Sequence, residues 1–106
     1  MARYLYKLVP RSPSLLSSGP TNEEEAVIAE HFEYLSGLAR EGVVMLAGRT
    51  LNTDRSSFGI VILDCGTEDR ARQIMMDDPA VRTGVFNAEL FPFRVSLTGG
   101  ADRCGG

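Results

Sequence analysis

Cysteine and histidine are scarce in this sequence: of 106 residues, two are cysteine and one is histidine. Cys65 and Cys104 belong to no CxxC or Cys/His spacing, so no zinc site is expected. One ends an apolar run and the other lies in a glycine-rich tail, which favours a reducing compartment over a structural disulfide. Basic charge is not in excess, with 11 Lys+Arg against 14 Asp+Glu and a net charge of -3. The basic residues are also scattered rather than gathered in a stripe, which argues against a nucleic-acid partner. No run nears the ~20 apolar residues that span a bilayer. The opening Met1-Ala2-Arg3-Tyr4 lacks the apolar region of a signal peptide, so the expected location is the cytoplasm, with no membrane partner. Gly48, Gly59 and Gly84 form no phosphate loop, and no nucleophile elbow surrounds Ser56 and Ser57. Neither a cofactor nor a metal is expected.

What remains is an ordinary soluble composition, 43% hydrophobic and 24% charged, in a length that suits one domain. Tyr4 to Val9 is rich in aromatic and branched residues and reads as a strand that stops at Pro10. Arg11 to Asn22 reads as a Ser/Pro surface loop. Thr21 or Asn22 can cap a helix from Glu23 to Glu41, whose first turn is acidic. Ile28, Phe32, Leu35, Leu38 and Ala39 form its apolar stripe, and Gly42 stands at its C-cap. The continuous apolar runs Val43–Ala47 and Phe58–Leu63 read as strands buried on both sides, joined by the polar hairpin connection Asn52–Ser57. Thr67 caps a second helix whose inward side is Ala71, Ile74 and Met75, and Pro79 ends it. Phe86 to Leu97 reads as the last strand, with Pro92 calling for an edge or a bulge. Thr98 to Gly106 is expected to be a flexible glycine-rich tail, outside a domain spanning 1–97.

The order βαββαβ, with right-handed crossovers, predicts a ferredoxin-like α+β fold. It has a four-stranded antiparallel sheet with two helices on one face. The uncovered sheet face should be apolar, and a symmetric pair of sheets would bury it, so a homodimer or higher homo-oligomer is expected. The plainer alternative is a monomer whose tail folds back over the sheet.

Chemistry centres on the single histidine. His31 lies at the edge of the apolar stripe, one turn from both Val27 and Leu35. Asp78 continues the inward stripe Ala71, Ile74, Met75, while Asp77 points to solvent. An inward carboxylate needs a partner, and two helices on one sheet face could bring these two groups together. A carboxylate on one imidazole nitrogen fixes the tautomer and prepares the other nitrogen for acid/base work. The competing readings are a boundary histidine and an Asp-Pro turn bonded to local backbone. Arg49, at a strand end, could hold an anionic substrate or be a solvated charge. Tyr34, on the histidine's helix, could line a pocket or simply pack.

His31-Phe32-Glu33-Tyr34-Leu35, Gly42, Leu46-Ala47-Gly48, Asp78-Pro79-Ala80-Val81, Gly84-Val85-Phe86 and Phe91-Pro92-Phe93-Arg94-Val95 together resemble the YciI-like (YCII-related) family in order and spacing. The resemblance runs from Tyr4 to Val95. It implies a dimeric α/β barrel and a catalytic His–Asp pair at His31 and Asp78. Arg49, Tyr34 and Phe86 are then the candidate substrate-binding residues. One branch of that family removes chloride from a chlorinated hydroxyquinone. The long loop Arg11 to Pro20 departs from the family pattern, as does Glu23–Glu25 where many members carry a second histidine. One His–Asp pair without metal or cofactor best suits an acid/base enzyme for a small molecule, by elimination or isomerisation. The alternative is a non-catalytic metabolite-binding or assembly module.

Overall fold

The computed structural model describes residues 2–99. Its elements run β1 (Arg3–Pro10), α1 (Ser14–Ser17), α2 (Asn22–Arg40), β2 (Val44–Arg49), β3 (Gly59–Asp64), α3 (Glu68–Asp77), α4 (Pro79–Arg82) and β4 (Phe86–Phe93). The four strands form one sheet in the order β2-β3-β1-β4, and every neighbouring pair is antiparallel. This is the ferredoxin-like α+β arrangement. No helix among the described residues is long and apolar enough to cross a membrane.

Register decides which side chains share a face. Tyr6 stands opposite Val61 on β3 and Leu90 on β4. Tyr6, Leu8, Val61 and Leu63 form the sheet side of the core, and Leu35, Ala71, Ile74 and Met75 close it from the helices. The next residues along each strand point the other way. Leu5 pairs with Ile62 and Phe91, and Ile62 pairs with Leu46, giving a second face rich in apolar groups. Leu46 is 51% exposed and Phe91 42% in the single chain.

The helix starts follow from their caps. The Thr21 hydroxyl accepts from the Glu24 backbone N–H, and the Glu24 carboxylate accepts in return from the Thr21 N–H. This capping box begins α2 one residue before the expected position. At its far end Gly42 has φ +80°, a left-handed conformation that glycine adopts without a Cβ penalty. Thr21→Ala should cost about 1 kcal/mol of stability, because the Glu24 N–H loses its acceptor at the first turn. Urea unfolding checks this: the midpoint falls while the slope is unchanged.

Three local expectations need correcting. The loop after β1 contains the short helix α1, started at Pro13 where proline's fixed φ suits a first turn. Strand β2 is not buried on both sides. It is an edge strand, and only Val44 in it is buried, since the helices lie on one face of the sheet and nothing among the described residues covers the other. Strand β4 ends at Phe93 rather than Leu97, and Leu97 is 92% exposed. Pro92 lies near the end of this edge strand, where the missing N–H costs the ladder least. Cys104 and most of the expected 98–106 tail lie outside the described residues.

Candidate active site

Asp78 ends one helix and begins another. Its ψ of 124° breaks the α3 geometry, and Pro79 opens α4 immediately afterwards. The Asp78 side chain then turns back and caps α4, with Oδ1 accepting from the Ala80 N–H at 3.0 Å. The local Asp-Pro turn foreseen as a competing reading is therefore real. It does not exclude the long-range contact, because a carboxylate has two oxygens and several lone pairs.

The rest of that capacity is taken by two residues from distant elements. The Tyr6 hydroxyl, from the middle of β1, donates to Oδ2 at 2.8 Å. His31, from α2, brings Nδ1 to 2.7 Å from Oδ1 and 2.8 Å from Oδ2. Asp78 and Tyr6 are both fully buried, whereas the His31 side chain keeps 16% of its exposure. An ionised carboxylate only accepts, so in a neutral imidazole here Nδ1 carries the proton and Nε2 holds the free lone pair. The His31 ring lies against Phe86, with centroids 6.3 Å apart and planes tilted by 33°. Both residues line a cavity of about 720 Å³ between α2, α1 and the β2–β3 end of the sheet.

The expected site residues are not all brought together. His31, Phe86 and Arg49 line the cavity, and Asp78 stands behind His31. Tyr34 does not line it. Its hydroxyl donates to the Ile74 carbonyl on α3 at 2.8 Å, so it ties the two long helices together. The helical spacing explains the correction: three residues from His31 is a turn of about 300°, which carries Tyr34 toward α3. Tyr6 was missed by sequence reasoning. The available signal was its position on the inward alternation of β1, where a buried phenol needs a partner. Among the described residues no group of three or more His, Cys, Asp or Glu gathers as metal ligands.

Burial sets the protonation of both tyrosines. Removal from water raises Tyr6 far above the ordinary phenol range, and the Asp78 charge and hydrogen bond add to the effect. Tyr34 is pushed up from 10.0 to about 12, first by burial and then by the Asp77 and Asp78 carboxylates, with Arg70 opposing. An unfolded phenol ionises near 10, while the folded Tyr34 keeps its proton to about 12. Stability is thus intact below pH 10 and falls as pH rises through that window, because the unfolded chain releases the proton first. Urea midpoints measured across this range should decline. Phenolate absorbance from Tyr6 should appear only with unfolding.

The YCII-related domain profile matches residues 4–94, a span that contains His31, Asp78, Tyr6 and the whole cavity floor. The chain belongs to the YCII-related family. Among solved structures it is similar to 5-chloro-2-hydroxyhydroquinone dehydrochlorinase (TftG) from Burkholderia phenoliruptrix AC1100, in complex with 2,5-dihydroxybenzoquinone. The two share 20% sequence identity with a TM-score of 0.65, over 87% of this chain and 93% of the other. At that identity the likeness shows a common fold. A search of curated proteins gave no match.

Proposed function

We propose that this YCII-related protein is a small-molecule enzyme in which His31 removes or delivers a proton and Asp78 orients it. The carrying observation is the bond from Nδ1 to a carboxylate that is itself fixed by Tyr6 and Ala80. That arrangement leaves one imidazole nitrogen free beside a cavity, as general-base chemistry requires. Proton abstraction followed by loss of a leaving group, or by isomerisation, suits one such pair. The dehydrochlorinase of similar fold is named for an elimination, which supports this class. Arg49, lining the same cavity, would hold an anionic substrate group. The test is a panel of halogenated and hydroxylated cyclic substrates, read by product analysis and halide release. Turnover that depends on His31 supports the enzyme. Binding without any product would leave a metabolite-binding module instead.

The same reading makes the protein a homodimer through its open sheet face, where Leu5, Leu46, Ile62 and Phe91 adjoin across the strands. An apolar face of this kind is costly in water. Phe91→Glu should place charge on this face and shift the sedimentation coefficient to that of a monomer, with the far-UV spectrum unchanged. A wild-type chain that sediments as a monomer at all concentrations overturns the dimer.

A further inference from the structure

The cavity beside His31 is larger than one ring needs. At about 720 Å³ it falls within the range of about 300–1,000 Å³ found for drug-sized ligands. Leu15 and Leu16 of α1 form one wall, and Ile28, Phe32 and Leu35 of α2 form another. Phe32 is 70% exposed, a large aromatic ring with no protein group over most of its surface. The charge of the lining is one-sided. Among the described residues its only ionisable side chains are His31 and Arg49, and neither Asp nor Glu contributes.

Among the described residues Arg49 has no ion-pair partner. The ion pairs among the described residues are Arg3–Asp64, His31–Asp78 and Arg72–Glu68, none of which uses it. Its side chain leaves the sheet on the cavity side. A Cβ placed on Gly59 would meet the Cβ atoms of Arg49 and Leu8 at 3.7 and 3.8 Å, and Leu8 is a core residue under the helices. With no carboxylate in the lining, a ligand anion would be the counter-charge for Arg49.

We propose that the cavity takes an organic anion whose apolar body exceeds a single ring, with its carboxylate or phenolate at Arg49 and the body beneath α1 against Phe32. This rests on the cavity being the substrate site proposed above. A single-ring ligand would leave much of the apolar wall without contacts. A larger body covers Phe32 and removes more apolar surface from water. The loop Arg11–Pro20 supplies Leu15 and Leu16, and so sets the size of ligand accepted.

The test is calorimetric titration of the full chain with 2-naphthoate, benzoate and neutral 2-naphthamide, alongside NMR of the single histidine ring. The expected order is 2-naphthoate at least ten-fold tighter than either of the others. The His31 ring resonances should move on its addition. Arg49→Gln should erase the preference for naphthoate over naphthamide. Phe32→Ala, at an exposed position that the fold does not need, should erase the preference over benzoate. Equal affinity for the three probes overturns the proposal, and so does 2-naphthoate binding that leaves His31 unmoved. His31→Gln separates this from the catalytic reading. If that variant binds 2-naphthoate as tightly as the wild type, the ligand class stands whatever becomes of turnover. If the wild type shows His31-dependent turnover but no preference among the probes, the enzyme survives and the ligand class falls.

Discussion

Asp78→Ala should lower the stability of the fold by about 2–4 kcal/mol, the largest single loss we expect from a polar residue here. The reason is what the deletion leaves behind. The Tyr6 hydroxyl is fully buried on β1 and has Asp78 as its acceptor. Without it the phenol is an unpaired donor in an apolar core, at about 1–3 kcal/mol. The Ala80 N–H at the start of α4 loses its cap as well, at about 1 kcal/mol. A drop of roughly 10–30 °C in the thermal midpoint would follow for a domain of this size. Tyr6→Phe in the same chain should recover part of the loss, because it removes the stranded hydroxyl. The double variant is then more stable than the sum of the single changes implies. If Asp78→Ala unfolded within 1 kcal/mol of the wild type, the carboxylate would not be the acceptor on which Tyr6 and α4 depend.

Much of this arrangement was legible in the residues. Helical spacing marked His31 as a boundary position on α2, and an inward carboxylate at Asp78 demanded a partner. Strand order then placed both helices over one face. The route to Asp78 was partly fortunate, since the stripe Ala71, Ile74, Met75 was extended to a residue that is no longer helical. Position 78 still points inward because its extended backbone and the following Pro79 turn the chain back toward the core. The misreadings have physical causes. Apolar continuity in Val43–Ala47 looked like burial on two sides, but periodicity records which residues avoid water, not whether the cover comes from this chain. Tyr34 shares a helix with His31, and shared helices invite shared roles. Its rotation around the axis instead sends the hydroxyl to the Ile74 carbonyl. The short helix α1 left little trace, because four residues give no period to detect. Its contribution of Leu15 and Leu16 to the cavity could not be read without the return of the chain past α2.

On an identified substrate, His31→Gln and Asp78→Asn should each reduce turnover by about 10²–10⁴-fold, the span that a positioned general base contributes. They act at different atoms. His31→Gln removes the free imidazole nitrogen and leaves an amide that cannot accept a proton at neutral pH. Asp78→Asn leaves the imidazole in place but changes what it faces. The Asn Oδ1 can still accept from the Ala80 N–H, so its amide NH2 takes the place of Oδ2, the oxygen that faces Tyr6 and lies 2.8 Å from the His31 Nδ1. A donor opposite Nδ1 converts that nitrogen from donor to acceptor. The ring proton then moves to Nε2, and the lone pair that faced the cavity is lost. Nitrogen chemical shifts of the single imidazole report this tautomer directly, independently of activity. The wild type should show protonated Nδ1 in its neutral form, and Asp78→Asn should show protonated Nε2. Loss of turnover together with the tautomer change assigns Asp78 its orienting role. Full turnover in either variant, with the fold retained by circular dichroism, would remove His31 and Asp78 from the chemistry and leave them as a strut between α2 and the start of α4.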